Sequence, residues 1–124
     1  MAKFGTAITC IDGRVQEPVA AWLKARYYLD YVDMVTEAGA DQVMASGAPE
    51  DVARLRRNVQ RSVEKHGSTV IALVGHHDCA ANPGPREQHV AQLSAGLHTI
   101  RLWNLSATVL ALWVNEDWQI ELAG

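Results

Sequence analysis

The stretch STVIALVGHHDCAANP, residues 68–83, decides the fold. From Val70 to Val74 it is apolar without a polar residue alternating in, so a strand here has both faces covered, as strands of helix-layered parallel sheets do. The stretch then leaves through His76, His77, Asp78 and Cys79. A buried strand gains no packing from a thiol beside two imidazoles at its exit, so this end points to chemistry.

Working outward, strand and helix patterns alternate with no linker, repeat or low-complexity segment. GTAITCID (5–12) reads as a short buried strand closed by Asp12-Gly13. EPVAAWLKARY (17–27) places Val19, Trp22, Leu23 and Tyr27 on one helical face, with Pro18 suited to a first turn. YVDMVTEAG (31–39) is a second strand. PEDVARLRRNVQRSVEKHG (49–67) is the clearest helix, with a stripe of Val52, Leu55, Val59 and Val63 and Gly67 where a C-terminal cap belongs. REQHVAQLSAGLHTIRLW (86–103) continues as a helix through Val90, Leu93, Leu97 and Ile100, tolerating Gly96. TVLALWVNEDWQIEL (108–122) reads as two strands around Asn115-Glu116-Asp117. The order βαβαβαββ predicts an α/β fold: a mostly parallel sheet in the order 2-1-3-4, with a C-terminal antiparallel strand and flanking helices.

Composition bounds what such a fold does. The chain has 124 residues and 48% hydrophobic content, which is enough for one domain spanning 1–124. Eleven basic against fourteen acidic residues give a formal charge of −3, which argues against nucleic acid as the main partner. The start MAKFGTAITC reads as neither a signal peptide nor a membrane span, so a cytoplasmic location is expected. A reducing cytosol disfavours a disulfide between Cys10 and Cys79, which leaves metal binding or catalysis as the better reading of the thiols.

In an open parallel sheet, functional groups gather at the carboxyl ends of strands, above all where neighbouring strands send their connections to opposite sides. Cys10 and Asp12 close the first strand, and His76 and Cys79 follow the third. If a 2-1-3-4 order makes those strands neighbours, the four residues converge. Two thiolates and an imidazole are a zinc set, and three protein ligands leave a fourth position open, the catalytic pattern. The bland alternative is a pair of core thiols, since cysteine is among the most buried residues. His77 is open between ligand, solvent-facing residue and proton carrier, although the x-x spacing to Cys79 favours His76. His66, His89 and His98 lie on helices or their ends and are expected at the surface. Arg54, Arg56, Arg57, Arg61 and Lys65 are most simply a solvated helix face. Trp103, Trp113 and Trp118 are expected as core or interface anchors.

CIDGR (10–14) resembles the C-x-D-x-R motif of the β-class carbonic anhydrases, and HHDC (76–79) resembles their H-x-x-C motif, in the same order and on equivalent strands. The resemblance covers nearly the whole chain. It implies a zinc-dependent enzyme that reversibly hydrates carbon dioxide to bicarbonate by a zinc-hydroxide mechanism, with Cys10, His76 and Cys79 as ligands. Asp12 would accept a hydrogen bond from the metal-bound water or bind zinc in a resting form, and Arg14 would hold its carboxylate. Carbonyl sulfide and carbon disulfide hydrolases share that scaffold, and a non-catalytic zinc-binding or assembly protein is the remaining reading. The chain departs from the family pattern at Gly13, where Ser is common, at Ala80 and Ala81, where two glycines are usual, and at Thr36-Glu37, where Arg-Asn often stands. The resemblance also implies a homodimer or an assembly of dimers. Trp22, Tyr27, Tyr28, Tyr31, Trp103 and Trp113 compete for one small core, so some of those rings should face a partner, through the first helix and the Tyr27–Tyr31 segment.

Overall fold

A computed structural model describes residues 1–124. Five strands form one sheet in the order β2-β1-β3-β4-β5. They are β1 (Phe4–Thr9), β2 (Tyr31–Thr36), β3 (Val70–His76), β4 (Thr108–Val114) and β5 (Ile120–Leu122). The first four run parallel; β5 returns antiparallel on β4, pairing Leu112 with Leu122. The expected sheet order and its antiparallel closing strand are therefore present.

Strand β3 is central and buried at every residue, which accounts for its unbroken apolar composition. Its side chains alternate between two cores, as a period of two requires. Ile71 and Leu73 join Ile8, Leu55, Val59, Leu93 and Ile100 on one face. Val70, Ala72 and Val74 join Ala7, Val15, Val19 and Leu23 on the other. Helix α1 (Gly13–Tyr27) covers the second face. Helices α2 (Ala40–Ser46), α3 (Pro49–His66) and α4 (Arg86–Leu102) supply the first. The connections leaving β1 and β3 thus go to opposite sides, and the crevice opens between those two neighbours.

Local chemistry sets the helix ends. In α3, Pro49 sits in the first turn with Glu50 and Asp51, Lys65 and His66 occupy the last, and Gly67 caps it at φ 68°, each matching the backbone requirement or dipole there. Helix α1 starts four residues before the expected 17–27 span, because the Asp12 side chain accepts from the Arg14 N–H and caps it. Pro18 consequently lies inside the helix rather than in its opening turn.

Two boundaries and one element differ from expectation. Strand β1 stops at Thr9 and β2 at Thr36, so Cys10, Asp12 and the Glu37-Ala38-Gly39 segment stand beyond the strand ends. Helix α2 has no counterpart in the predicted order. It is seven residues long and follows Gly39, which is left-handed at φ 62° and gives no side-chain cap. Packing stabilises it instead: Ala40 and Met44 are each 1% exposed.

The aromatic residues divide as the small core requires. Trp103 and Trp113 are buried, Trp22 and Tyr27 are half-buried, and Tyr28 and Tyr31 are 80% and 56% exposed. No helix is long and apolar enough to cross a membrane.

Candidate metal centre

The crevice between β1 and β3 brings Cys10, His76 and Cys79 together. All three are buried, and their ligand atoms lie within 4.8 Å of one another. Cys10 is the first residue past β1, His76 is the last of β3, and Cys79 sits in the following turn. That turn needs Asp78 at φ 57°, a left-handed conformation that aspartate tolerates better than most residues.

The geometry fits a tetrahedral thiophilic ion. Zinc–sulfur bonds at tetrahedral angles hold two sulfurs about 3.8 Å apart, and here the Sγ atoms of Cys10 and Cys79 are 4.0 Å apart as free thiols. The His76 Nδ1 hydrogen-bonds the His77 carbonyl at 2.7 Å. A carbonyl only accepts, so Nδ1 carries the proton and Nε2 keeps its lone pair. That Nε2 is buried and has no hydrogen-bond partner, the arrangement expected of an imidazole oriented as a metal ligand. His77 is exposed, and its backbone carbonyl fixes the His76 tautomer.

Burial raises the Cys79 thiol pKa, and the nearby Cys10 adds to the shift; the backbone N–H groups of Asn82 and Ala81 pull it back. Without a cation the Cys79 thiol resists ionisation, because its crevice is partly dry and a second thiol stands beside it. A bound divalent cation removes that conflict by neutralising both.

Beside the three ligand atoms stand Asp12 and Arg14. The guanidinium grips Asp12 through Nε at 3.1 and 3.2 Å and through Nη2 at 2.7 Å. It also reaches across to the Asp78 carboxylate at 3.2 Å and the Asp78 carbonyl at 3.1 Å. One arginine thus ties the exit of β1 to the turn that carries Cys79. The Trp118 ring, from the β4–β5 turn, lies 4.5 Å from the Arg14 guanidinium carbon and restricts it further. The Arg14 hydrogen bonds hold the Asp12 carboxyl well below the ordinary range, at about 2.

A cavity of about 210 Å³ opens against Cys10 and Asp12, lined otherwise by Ile11, Ala38, Ala80 and Ala81. Its walls are methyl-bearing, and the two alanines after Cys79 supply part of that surface. Thr36 and Glu37 do not line it; Glu37 pairs outward with Arg54.

Three sequence expectations need correction or extension. His89, expected at the surface, is 1% exposed and bonded to Asp41, itself 2% exposed. It lies one turn before Leu93 on the buried stripe of α4, so the helical period carried that signal. Trp118 is half-buried, packed against the edge of the second core and against Arg14. Asp41 and Asn82 were not anticipated, since neither lies in a recognisable pattern.

A parallel sheet with two cysteines and a histidine at the carboxyl ends of adjacent strands defines the β-carbonic-anhydrase class of fold. The chain belongs to the family described as "Putative carbonic anhydrase", whose model matches residues 1–124. Among solved structures it is similar to a tetrameric β-carbonic anhydrase of Sordaria macrospora, with TM-score 0.53 and 12% identity over 100% of this chain and 82% of that one. The β-carbonic anhydrase CafA of Aspergillus fumigatus aligns with TM-score 0.48 and 15% identity, over 96% of this chain and 75% of that one. No curated protein matches the sequence.

Proposed function

We propose that the protein is a zinc-dependent, carbonic anhydrase-like enzyme that interconverts carbon dioxide and bicarbonate, with Cys10, His76 and Cys79 as the metal ligands. The observation that carries this reading is that His76, whose Nε2 is buried and unpartnered, brings a ring nitrogen within 4.8 Å of two thiols. A zinc ion held by this set supplies Lewis acidity that brings the ionisation of water toward neutral pH.

The chain's own residues supply the rest. Asp12 stays ionised throughout the working range and so acts as a fixed hydrogen-bond acceptor beside Cys10. Arg14 occupies the Asp12 carboxylate with three contacts, which holds it in the accepting role and away from service as a fourth ligand. The apolar cavity admits a small linear molecule with no hydrogen-bond donors of its own and keeps bulk water from crowding it. Because Ala80 and Ala81 line that cavity, the same site also suits carbonyl sulfide or carbon disulfide as alternative electrophiles. The active unit is proposed to be a homodimer or an assembly of dimers in the cytoplasm. The exposed Tyr28 and Tyr31 support this, as does a groove of about 500 Å³ between α1 and β2, lined by residues including Phe4, Ala20, Tyr31 and Met34.

The deciding experiment measures metal content and stopped-flow carbon dioxide hydration on one preparation. About one zinc per chain and a rate above background that rises with pH support the proposal. Full zinc occupancy without turnover of carbon dioxide, carbonyl sulfide or carbon disulfide assigns the site to a non-catalytic role.

A further inference from the structure

Behind the three ligand residues lies a buried polar cluster that the reaction does not use directly. Asp41 on α2, Asn82 in the turn after Cys79 and His89 on α4 are each 1–2% exposed. His89 Nδ1 donates to Asp41 Oδ2 at 2.5 Å. The two Asn82 amide hydrogens go to Asp41 Oδ1 at 3.0 Å and Gln92 Oε1 at 2.7 Å, and its Oδ1 accepts from Gln88 at 3.4 Å. Since His89 Nδ1 spends its proton on Asp41, its 3.3 Å approach to the Asn82 amide is a contact between donors, not a hydrogen bond.

A cluster of this kind is costly to bury unless every group is paired. An apolar filling would hold α2 against α4 equally well. What the polar filling adds is direction, and its reach shows where. Asp41 Oδ2 lies against β3 so closely that a Cβ on Gly75 would stand 2.6 Å from it; Gly75 precedes His76. Through Oδ1 the same carboxylate holds Asn82, three residues after Cys79 and buried like it. Gly39, left-handed at φ 62°, lets α2 begin close to the turn: a Cβ there would lie 3.3 Å from Asn82 Cβ. One buried carboxylate therefore touches both segments that deliver ligands from the β3 side.

We infer that Asn82 is a positioning residue for Cys79, locked by the Asp41–His89 pair and Gln92, and that this cluster sets the metal affinity of the site. The inference rests on the zinc reading of Cys10, His76 and Cys79. Outer partners of this kind change metal affinity by about 10–100-fold when removed.

The test is zinc affinity by chelator competition on metal-stripped protein, alongside unfolding of the metal-free and zinc-loaded forms and the thiolate-to-metal absorption of the cobalt(II) form. Asn82→Ala should weaken zinc by about 10–100-fold and perturb the cobalt spectrum, while the metal-free protein still folds. His89→Gln, which keeps an N–H donor toward Asp41, should bind zinc within a few fold of the parent. A purely structural role lowers both unfolding midpoints alike and leaves affinity and spectrum unchanged; that outcome overturns the inference. Should Asn82→Ala fail to fold, Gln92→Met, which removes only one acceptor from Asn82, decides: weaker zinc binding supports the role, and unchanged binding overturns it. Parent protein that binds no zinc overturns the metal reading itself, whereas a parent that binds and variants that do not differ overturn the positioning role alone.

Discussion

Gly96→Ala sets two opposed effects against each other in the packing that supports the metal centre. Alanine in a helix interior is favoured over glycine by about 1 kcal/mol, so on propensity alone α4 should gain stability. The structure predicts the reverse. A Cβ at position 96 would stand 2.5 Å from Leu73 Cδ2 and 3.1 Å from Met44 Cβ. Carbon atoms rest about 3.5–4.0 Å apart, so roughly 1 Å of movement is required. Leu73 is fully buried and has no open space to swing into, and the Met44 Cβ is fixed to the α2 backbone. Overpacking of that kind costs about 1–3 kcal/mol, which outweighs the propensity gain and leaves a net loss of about 1 kcal/mol. For a chain of this size the melting midpoint should fall by about 4 °C, read by circular dichroism on the metal-free protein. A midpoint that rises instead would refute the close-packing account of why α4 carries a glycine.

Three other perturbations probe the site and the assembly. Cys79→Ser should lose stoichiometric zinc and, with it, the stabilisation that metal binding contributes to folding; elemental analysis of the purified variant that still returned one zinc per chain would remove Cys79 from the ligand set. Arg14→Ala should raise the Asp12 pKa from about 2 toward the ordinary carboxylate value near 4, read by carboxyl-carbon NMR. The sign follows from a depressed folded-state pKa. Asp12 ionisation stabilises the parent above the unfolded value and loses that effect as pH falls toward about 2, so the parent should show more acid-labile stability than the variant. Light scattering at micromolar concentration should return at least twice the 13.6 kDa chain mass, and Tyr31→Lys should shift it toward monomer; a monomeric parent with zinc bound would overturn the proposed assembly.

The parts of this molecule readable from sequence are those in which one local pattern suffices. Val70–Val74 read as a strand covered on both faces, and the α3 stripe closed by Gly67 read as a helix. The convergence of Cys10, Asp12, His76 and Cys79 was readable because strand ends in a parallel sheet lie together once the order is known, whereas Arg14 was named only through the C-x-D-x-R resemblance. Helix α2 was not, because seven residues without a cap or a wide stripe derive their conformation from α4 packed on them. Asp41 and Asn82 were invisible for a related reason: a buried amide or carboxylate is recognised only by its partners, and those come from α2, α4 and the Cys79 turn at once. His89 was within reach, since its spacing to Leu93, Gly96 and Ile100 puts it on the inward face, but a histidine on a mixed helix is easily assigned to solvent.

The separation of 69 residues between Cys10 and Cys79 has a consequence during synthesis. The chain emerges amino end first, at about 5–20 residues per second. Cys10 therefore leaves the ribosome roughly 3–14 seconds before Cys79 does. Until the chain through His76 has emerged, β1 lacks β3, one of its two neighbours in the finished sheet. The Cys10 thiol, buried beside Cys79 in the finished fold, is without that neighbour for the whole interval. The three potential ligand residues can come together only once the chain through Cys79 has emerged.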